Sequence, residues 1–410
     1  MHAQRKALRA PHAFDGRTFL SDGATVLIED DTITGVEAFG HDVPSDWPVT
    51  TYDGTLLPGL IDTHVHLVSD GGMGSLERAG TLSEDELDAV IAQSLRQQAA
   101  AGVTTVRDLG DTEYRTLAFR DHSQPGVPRI VAAGPPLTAP AGHCHYLGGC
   151  IDGPDAVQSA VEEHVERGVD VVKVMASGGM LTTGTDVFGV QLTAADLRLL
   201  VELSHLHGLQ VLAHAHSLAG IVHALDAGVD GIEHFTGLTE HGIDVPDAVL
   251  ARVAEAGVTV DPTLGFDAAA MAGAAAPPTR MMQALSRVGL DFPTAYAARL
   301  AVAGRARAHG IRVVTGVDSG AVPPKHHGVI GLAIADLTTA GFPIDEALAT
   351  ATSVAAEACR LADTTGSLRP GLSADLLVVD GDLRSDSTAL RRPAAVMVRG
   401  VDATWFGTPA

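Results

Sequence analysis

A chain of 410 residues, 46% of them hydrophobic, is long enough for one large domain and a small one. Its formal net charge of −23, from 27 Lys and Arg against 50 Asp and Glu, repels a phosphate backbone and argues against nucleic acid as a partner. No apolar run reaches the ~20 residues of a membrane span, so a membrane protein is not expected either.

Arg5, Lys6 and Arg9 near the start are not followed by an apolar stretch, so no signal peptide is expected. Residues 25–29 (TVLIE) and 32–37 alternate, with Asp30-Asp31 turning between them, and segment 17–56 reads as short strands. From residue 57 onward short apolar runs alternate with amphipathic helical stretches, the pattern of βαβ units. The expected strands are 57–66, 103–108, 129–134, 169–175, 209–214, 229–234, 258–263 and 311–318. Helices are expected at 83–101, 154–167, 193–207 and 218–227. Aromatics make up only 4%, so Val, Leu, Ile and Ala must fill the core, which suits parallel strands covered on both faces. The connection 265–296 breaks the rhythm. It holds Ala-rich helical pieces, Pro277-Pro278, Met271, Met281 and Met282, and reads either as a lid or as extra packing helices. Residues 374–380 and 394–398 are strand-like again. The expected fold is α/β: a (β/α)8 TIM barrel over 57–365, with a small β-sandwich domain formed by 1–56 and 366–410. Cys144, Cys150 and Cys359 form no C-x-x-C pair, which suits a reducing, cytoplasmic setting.

The polar residues at the ends of these strands carry the chemistry. In Pro58-Gly-Leu-Ile-Asp-Thr-His64-Val-His66 the two histidines are spaced by one residue and point the same way from a strand. Two such imidazoles can grip one metal ion. With 19 His in the chain one H-x-H pair is a weak signal, and His143/His145 and His214/His216 are spaced alike. The other strand ends strengthen it: Lys173, His214, Glu233-His234 and Asp318 fall at the same rim, where barrel active sites lie. So many polar groups at buried positions are poorly explained as packing.

PGLIDTHVH, VVKVMASGG, LAHAHS, GIEHF and TGVDSG resemble, in order, the motifs of the amidohydrolase superfamily, and more narrowly its imidazolonepropionase-like and Xaa-Pro-dipeptidase-like branch. The resemblance spans nearly the whole chain. It implies two divalent metal ions, zinc by default, although manganese, iron or cobalt also suit such ligands. His64, His66 and Asp318 would bind the more buried ion, His214 and His234 the more exposed one, and an N-carboxylated Lys173 would bridge them. The alternative is a one-metal site in which Lys173 stays an amine. The implied reaction is attack by a metal-bridging hydroxide on an amide or peptide-like carbonyl, in a dipeptide or an N-acyl amino acid. Asp318 would act as general base and then acid, with His234 or His143 supporting the oxyanion.

The small-molecule pocket is expected to draw on His143, His145 and Tyr146, on His216 and on Lys325. Dipeptidase-like relatives often carry Tyr at position 216 to hold a substrate carboxylate; with His there, Lys325 or Arg107 is the expected substitute. Cys144 is a candidate nucleophile without a feature that lowers its pKa. A mononuclear deaminase, or a cyclic-amide hydrolase of the imidazolone type, would expect an acid three residues after His214, where Ser217 stands. Ester or lactone hydrolysis by the same site is a further alternative. A homo-oligomer is expected.

Overall fold

The computed structural model describes residues 4–273 and 279–403. Pro277, Pro278 and residues 404–410 of the expected 366–410 segment lie outside the described residues. Among the described residues no helix is long and apolar enough to cross a membrane.

Alternation makes the strands at both ends of the chain. In Ala24–Glu29 the side chains of Val26 and Ile28 turn inward and are fully buried. Arg5–Ala10 and Thr32–Glu37 flank it antiparallel, and Val49–Thr51 pairs parallel to Arg5–Ala10, giving a four-stranded sheet. Asp30 makes the tight turn with φ of 53°, a conformation Asp tolerates better than most residues. A second sheet has six strands, in the order Val401–Asp402, Pro393–Val398, Leu376–Asp380, Gly54–Pro58, His12–Phe14, Phe19–Leu20. Leu377 lies opposite Leu57 in its antiparallel centre, so residues more than 300 positions apart share one ladder. Leu8, Val26 and Ile33 of the first sheet and Leu56, Val378 and Met397 of the second belong to one buried apolar cluster. Each such side chain contributes roughly 1.5–3 kcal/mol by leaving water, which holds the two sheets together.

Two further sheets are parallel. One contains Leu60–Val65, Val103–Asp108 and Arg129–Ala132; the other contains Val171–Met175, Gln210–His214, Gly231–Glu233 and Thr259–Asp261. Their residues are buried nearly throughout, as the continuous apolar runs require. Leu137 bridges Val174 and links the two sheets, with the Leu137 N–H donating to the Lys173 carbonyl at 2.8 Å. At the opposite edges Val260 bridges Val313 and Val65 bridges Ser319. Backbone pairing thus passes from one sheet to the other and back, a TIM-barrel-like α/β arrangement.

The predicted helices form as Glu84–Ala100, Pro154–Arg167, Ala194–Leu206 and Leu218–Ala227. Their ends are written in the sequence. Ser83 and Glu86 make a reciprocal capping box. Thr193 and Ser217 accept from the backbone N–H groups of Asp196 and Gly220. Pro154 starts its helix and Gly168, at φ 74°, ends it.

Several strands stop earlier than alternation predicts. Segments 229–234 and 258–263 shorten to Gly231–Glu233 and Thr259–Asp261, because His234 and Thr263 take φ of 68° and 42° and leave the ladder. Segment 311–318, expected as a strand, contains no regular strand and is held by single bridges. There Asp62 Oδ1 accepts the Val317 N–H at 3.0 Å, so a side chain takes a ladder donor, and Asp318 turns at φ 65°. The described part of connection 265–296 holds helices Ala268–Gly273 and Thr279–Arg287 and the start of Phe292–Ala308.

Candidate metal centre and active-site cavity

The C-terminal ends of the parallel strands deliver their side chains to one buried cavity. His64, His66, Lys173, His214, His234 and Asp318 all line it. Strand geometry sends alternate residues the same way, so His64 and His66 arrive side by side, with ring centroids 5.4 Å apart. The rings of His64 and His234 lie 5.2 Å apart, and those of His234 and His214 4.5 Å apart. Backbone approaches the cluster closely: a Cβ on Gly316 would meet the Asp261 Oδ2 at 2.0 Å and the His64 Cβ at 2.6 Å, so only glycine fits there.

The second nitrogen of each ring fixes its orientation. His64 Nδ1 faces Glu233 Oε2 at 2.8 Å, and His66 Nδ1 donates to the Gly110 carbonyl at 3.0 Å. Their Nε2 atoms then turn on Asp318 Oδ1, at 3.6 and 3.2 Å. Two neutral imidazoles and a carboxylate that point lone pairs at one another repel unless a positive charge lies among them. Burial works against a charge on His66, yet the adjacent Asp318 carboxylate holds its pKa above the ordinary imidazole value. Burial pushes the Asp318 carboxyl up, but the His66 hydrogen bond and nearby Lys325 and Lys173 keep it below its usual range. A divalent cation fits this donor set.

A second group of possible ligands, His214, His216 and His234, has its ligand atoms within 4.8 Å of one another. His216 stacks on His234 at 4.3 Å and has Nδ1 on Thr236 Oγ1 at 2.9 Å, while His234 Nδ1 meets Thr263 Oγ1 at the same distance. Burial lowers the pKa of all three well below the imidazole norm, so they are neutral, as metal ligands must be. His216, read from the sequence as a substrate contact, thus stands among the possible ligands. Lys173 lines the same cavity, buried, its Nζ without a hydrogen-bond partner among the described residues. Burial depresses its pKa. A buried amine without a partner, in a cavity lined by imidazole and carboxylate lone pairs, is left unsatisfied by the protein's own groups.

Other expected contacts divide. His143 lines the cavity, its ring 4.5 Å from His214 and its Nδ1 2.7 Å from Thr182 Oγ1. Lys325 also lines it and donates to the carbonyls of Thr263 and Val317 at 2.8 and 2.6 Å; burial lowers its pKa to about 8. The structure does not bring His145 or Tyr146 to the cavity wall. Cys144, at φ 57°, opens a short 3-10 turn that breaks the alternation. His145 consequently faces solvent, and the Tyr146 hydroxyl packs 3.8 Å from Cys144 Sγ. Arg107 is spent elsewhere: it donates to the Thr63 carbonyl at 2.8 Å and pairs with Glu233 at 3.3 Å. Cys144 lines the cavity, but burial pushes its thiol up to about 12, away from the thiolate form a nucleophile needs.

Sequence reasoning missed two sets of residues. The first is a set of buried carboxylates, Asp62, Asp108 and Asp261, which join the strand-end Glu233 and like it are raised in pKa by burial. The second is the wall over the cavity. Met281, Leu285, Phe292, Tyr296 and Arg299 come from the 265–296 connection and the helix that follows it. Arg299 donates to Pro262 and Thr263, while its buried Nε has no partner among the described residues.

The sequence profile described as the amidohydrolase family matches residues 55–402. An uncharacterized protein of Mycobacterium bovis is 30% identical over 360 residues, 86% of each chain. Ochratoxinase of Aspergillus niger is 29% identical over 206 residues, 44% of this chain and 43% of its own. A solved Xaa-Pro dipeptidase with methionine bound in its active site superposes with a TM-score of 0.81. That match covers 97% of this chain and 99% of the other at 24% identity, a likeness of fold.

Proposed function

This chain belongs to the amidohydrolase family, and from that premise we propose that it hydrolyses an amide or peptide-like C–N bond in a dipeptide or an N-acyl amino acid. The observation that carries this reading is the convergence of imidazole and carboxylate lone pairs on the one cavity that also holds the orphaned Lys173 Nζ. His64, His66 and Asp318 would hold one divalent ion and His214 and His234 a second, with His216 beside them. N-carboxylated Lys173 would bridge the pair, and zinc is the expected metal. Bound there, the ions supply Lewis acidity and a water acidic enough to ionise near neutral pH. The same reading closes the two parallel sheets and segment 311–318 into a (β/α)8 barrel over 57–365. It joins residues 1–56 and 366–410 in a β-sandwich.

The chain's own residues then divide the work. Asp318 takes a proton from the attacking water on a carboxylate oxygen and returns it to the leaving nitrogen. His143 donates toward the oxygen that gains charge as the carbonyl becomes tetrahedral, the part that the sequence also offered His234, whose two ring nitrogens are taken here by Thr263 and the proposed ion. Glu233 keeps the His64 ring turned so that Nε2 faces Asp318. Met175, Met180, Leu181 and Ile243 offer an apolar wall, and among the described residues Arg299 and Lys325 are the two cations of the cavity outside the proposed ligand set. That pairing supports a substrate with an apolar portion and a free carboxylate, read by Arg299 and Lys325. Ser217, where a deaminase-like site expects an acid, caps the helix Leu218–Ala227 instead. A cytoplasmic setting, supported by three thiols without a disulfide, and a homo-oligomeric state belong to the same reading.

The test is metal analysis of the purified protein joined to a screen of dipeptides and N-acyl amino acids. Two ions per chain and release of a free amino acid are expected. One ion with release of ammonia would overturn the reading in favour of deamination.

A further inference from the structure

A second recess opens at the other end of the parallel strands. It is lined by their first residues, Arg129, Val171 and Gln210, whereas the cavity above is lined by their last. Four more arginines reach it from separate segments: Arg107, Arg120, Arg360 and Arg399. Among the described residues Asp170 is the one acid in its lining. In a chain of net charge −23, five of the 27 basic residues thus converge on a single recess.

Their pairing is incomplete. Arg120 is satisfied by Asp121 and Asp170, and Arg107 by Glu233 and the Thr63 carbonyl. Arg360 donates to the Gly208 carbonyl, and Arg399 to backbone carbonyls near Val127 and to Ser123 Oγ. Backbone dipoles hold these guanidiniums in place without cancelling their charge. Arg129 makes no ion pair among the described residues. The Nε atoms of Arg129 and Arg399 are both buried without a partner among the described residues. Asp375 and Asp31 lie near enough to offset Arg399 in part, but neither lines the recess. Like charges crowded at a half-buried site cost free energy unless a counter-anion joins them.

We propose that this recess binds a small oxyanion of the phosphate type, as free phosphate or as the phosphoryl group of a small metabolite. Guanidinium forks from several directions suit an anion with oxygens on every side. The surrounding negative field disfavours a long polyanion and leaves a compact one able to enter.

The test titrates inorganic phosphate onto the purified, metal-loaded protein, against chloride at equal ionic strength, by calorimetry and thermal melting. Arg129→Gln and the more exposed Arg360→Gln are expected to weaken phosphate binding at least about tenfold each, with Arg129→Lys recovering part of it. Arg107 is left intact because it also holds Glu233. A tighter isotherm for glycerol phosphate would assign the site to a phosphorylated metabolite, and a tighter one for inorganic phosphate to the free ion. Isotherms unchanged in both glutamine variants, or equal melting in phosphate and chloride, would overturn the proposal. If Arg129→Gln does not fold, Arg360→Gln alone decides.

Discussion

At the scale of single residues, the account turns on Asp318 and on the groups that orient the histidines. Asp318 lies within 3.6 Å of both His64 and His66, so under the proposed function its loss would remove a proton carrier as well as a ligand atom. Asp318→Asn, which keeps the shape and one oxygen, is expected to cut kcat by ~10²–10⁴ while metal content measured by mass spectrometry stays largely intact. Glu233 faces His64 Nδ1, and both are buried. Glu233→Gln is expected to weaken metal binding by ~10–100-fold in a chelator competition; an unchanged affinity would remove its orienting role. The strand-end residues could be read from the sequence because regular spacing forces them onto one face. The other buried carboxylates could not. Asp62 and Asp261 are lone acids in apolar runs, and only the fold reveals that they take the backbone N–H groups of Val317 and Thr263. His145 failed in the opposite way: H-x-H spacing implies a shared direction only in a strand, and residues 145–147 form a 3-10 turn.

At the scale of elements, two helices carry tests. The helix Phe292–Ala308 brings Arg299 to the cavity from a connection whose sequence suggests only a lid or packing pieces. An arginine on a helix after a long connection has no spacing to betray its target. If it reads a substrate carboxylate, Arg299→Ala is expected to raise KM for carboxylate substrates by about 10–100-fold, from ~1.5–3 kcal/mol of charged hydrogen bonding. Amide-capped analogues should change little, and an equal loss for both would contradict the assignment. The helix Glu84–Ala100 is the contrasting case, since Ser83 and Glu86 announce its start in the sequence. Ser83→Ala is expected to cost about 1 kcal/mol in denaturant unfolding without altering turnover. The strands were legible in order and position but not in length. Their ends depart into left-handed backbone at His234, Thr263 and Asp318, which alternation cannot foresee.

At the scale of the whole molecule, alternating strands and helices follow the expected order, and antiparallel strands from both ends of the chain meet in one sheet. The eighth repeat is the exception. Segment 311–318 is tied in by side chains such as Asp62 and by single bridges, so it brings Asp318 to the site without forming a ladder. The charge of −23 is uneven, with arginines gathered at one end of the parallel strands and ligand-type side chains at the other. Both ends share Arg107, which lines the lower recess and pairs with Glu233 above it. The most direct measurement of the central claim is anomalous diffraction from crystals of the purified protein, at the absorption edge of the metal it carries. Two peaks are predicted, one among His64, His66 and Asp318 and one beside His214 and His234, with density continuing from Lys173 Nζ between them. A single peak remote from Asp318, or bare amine density at Lys173, would contradict it.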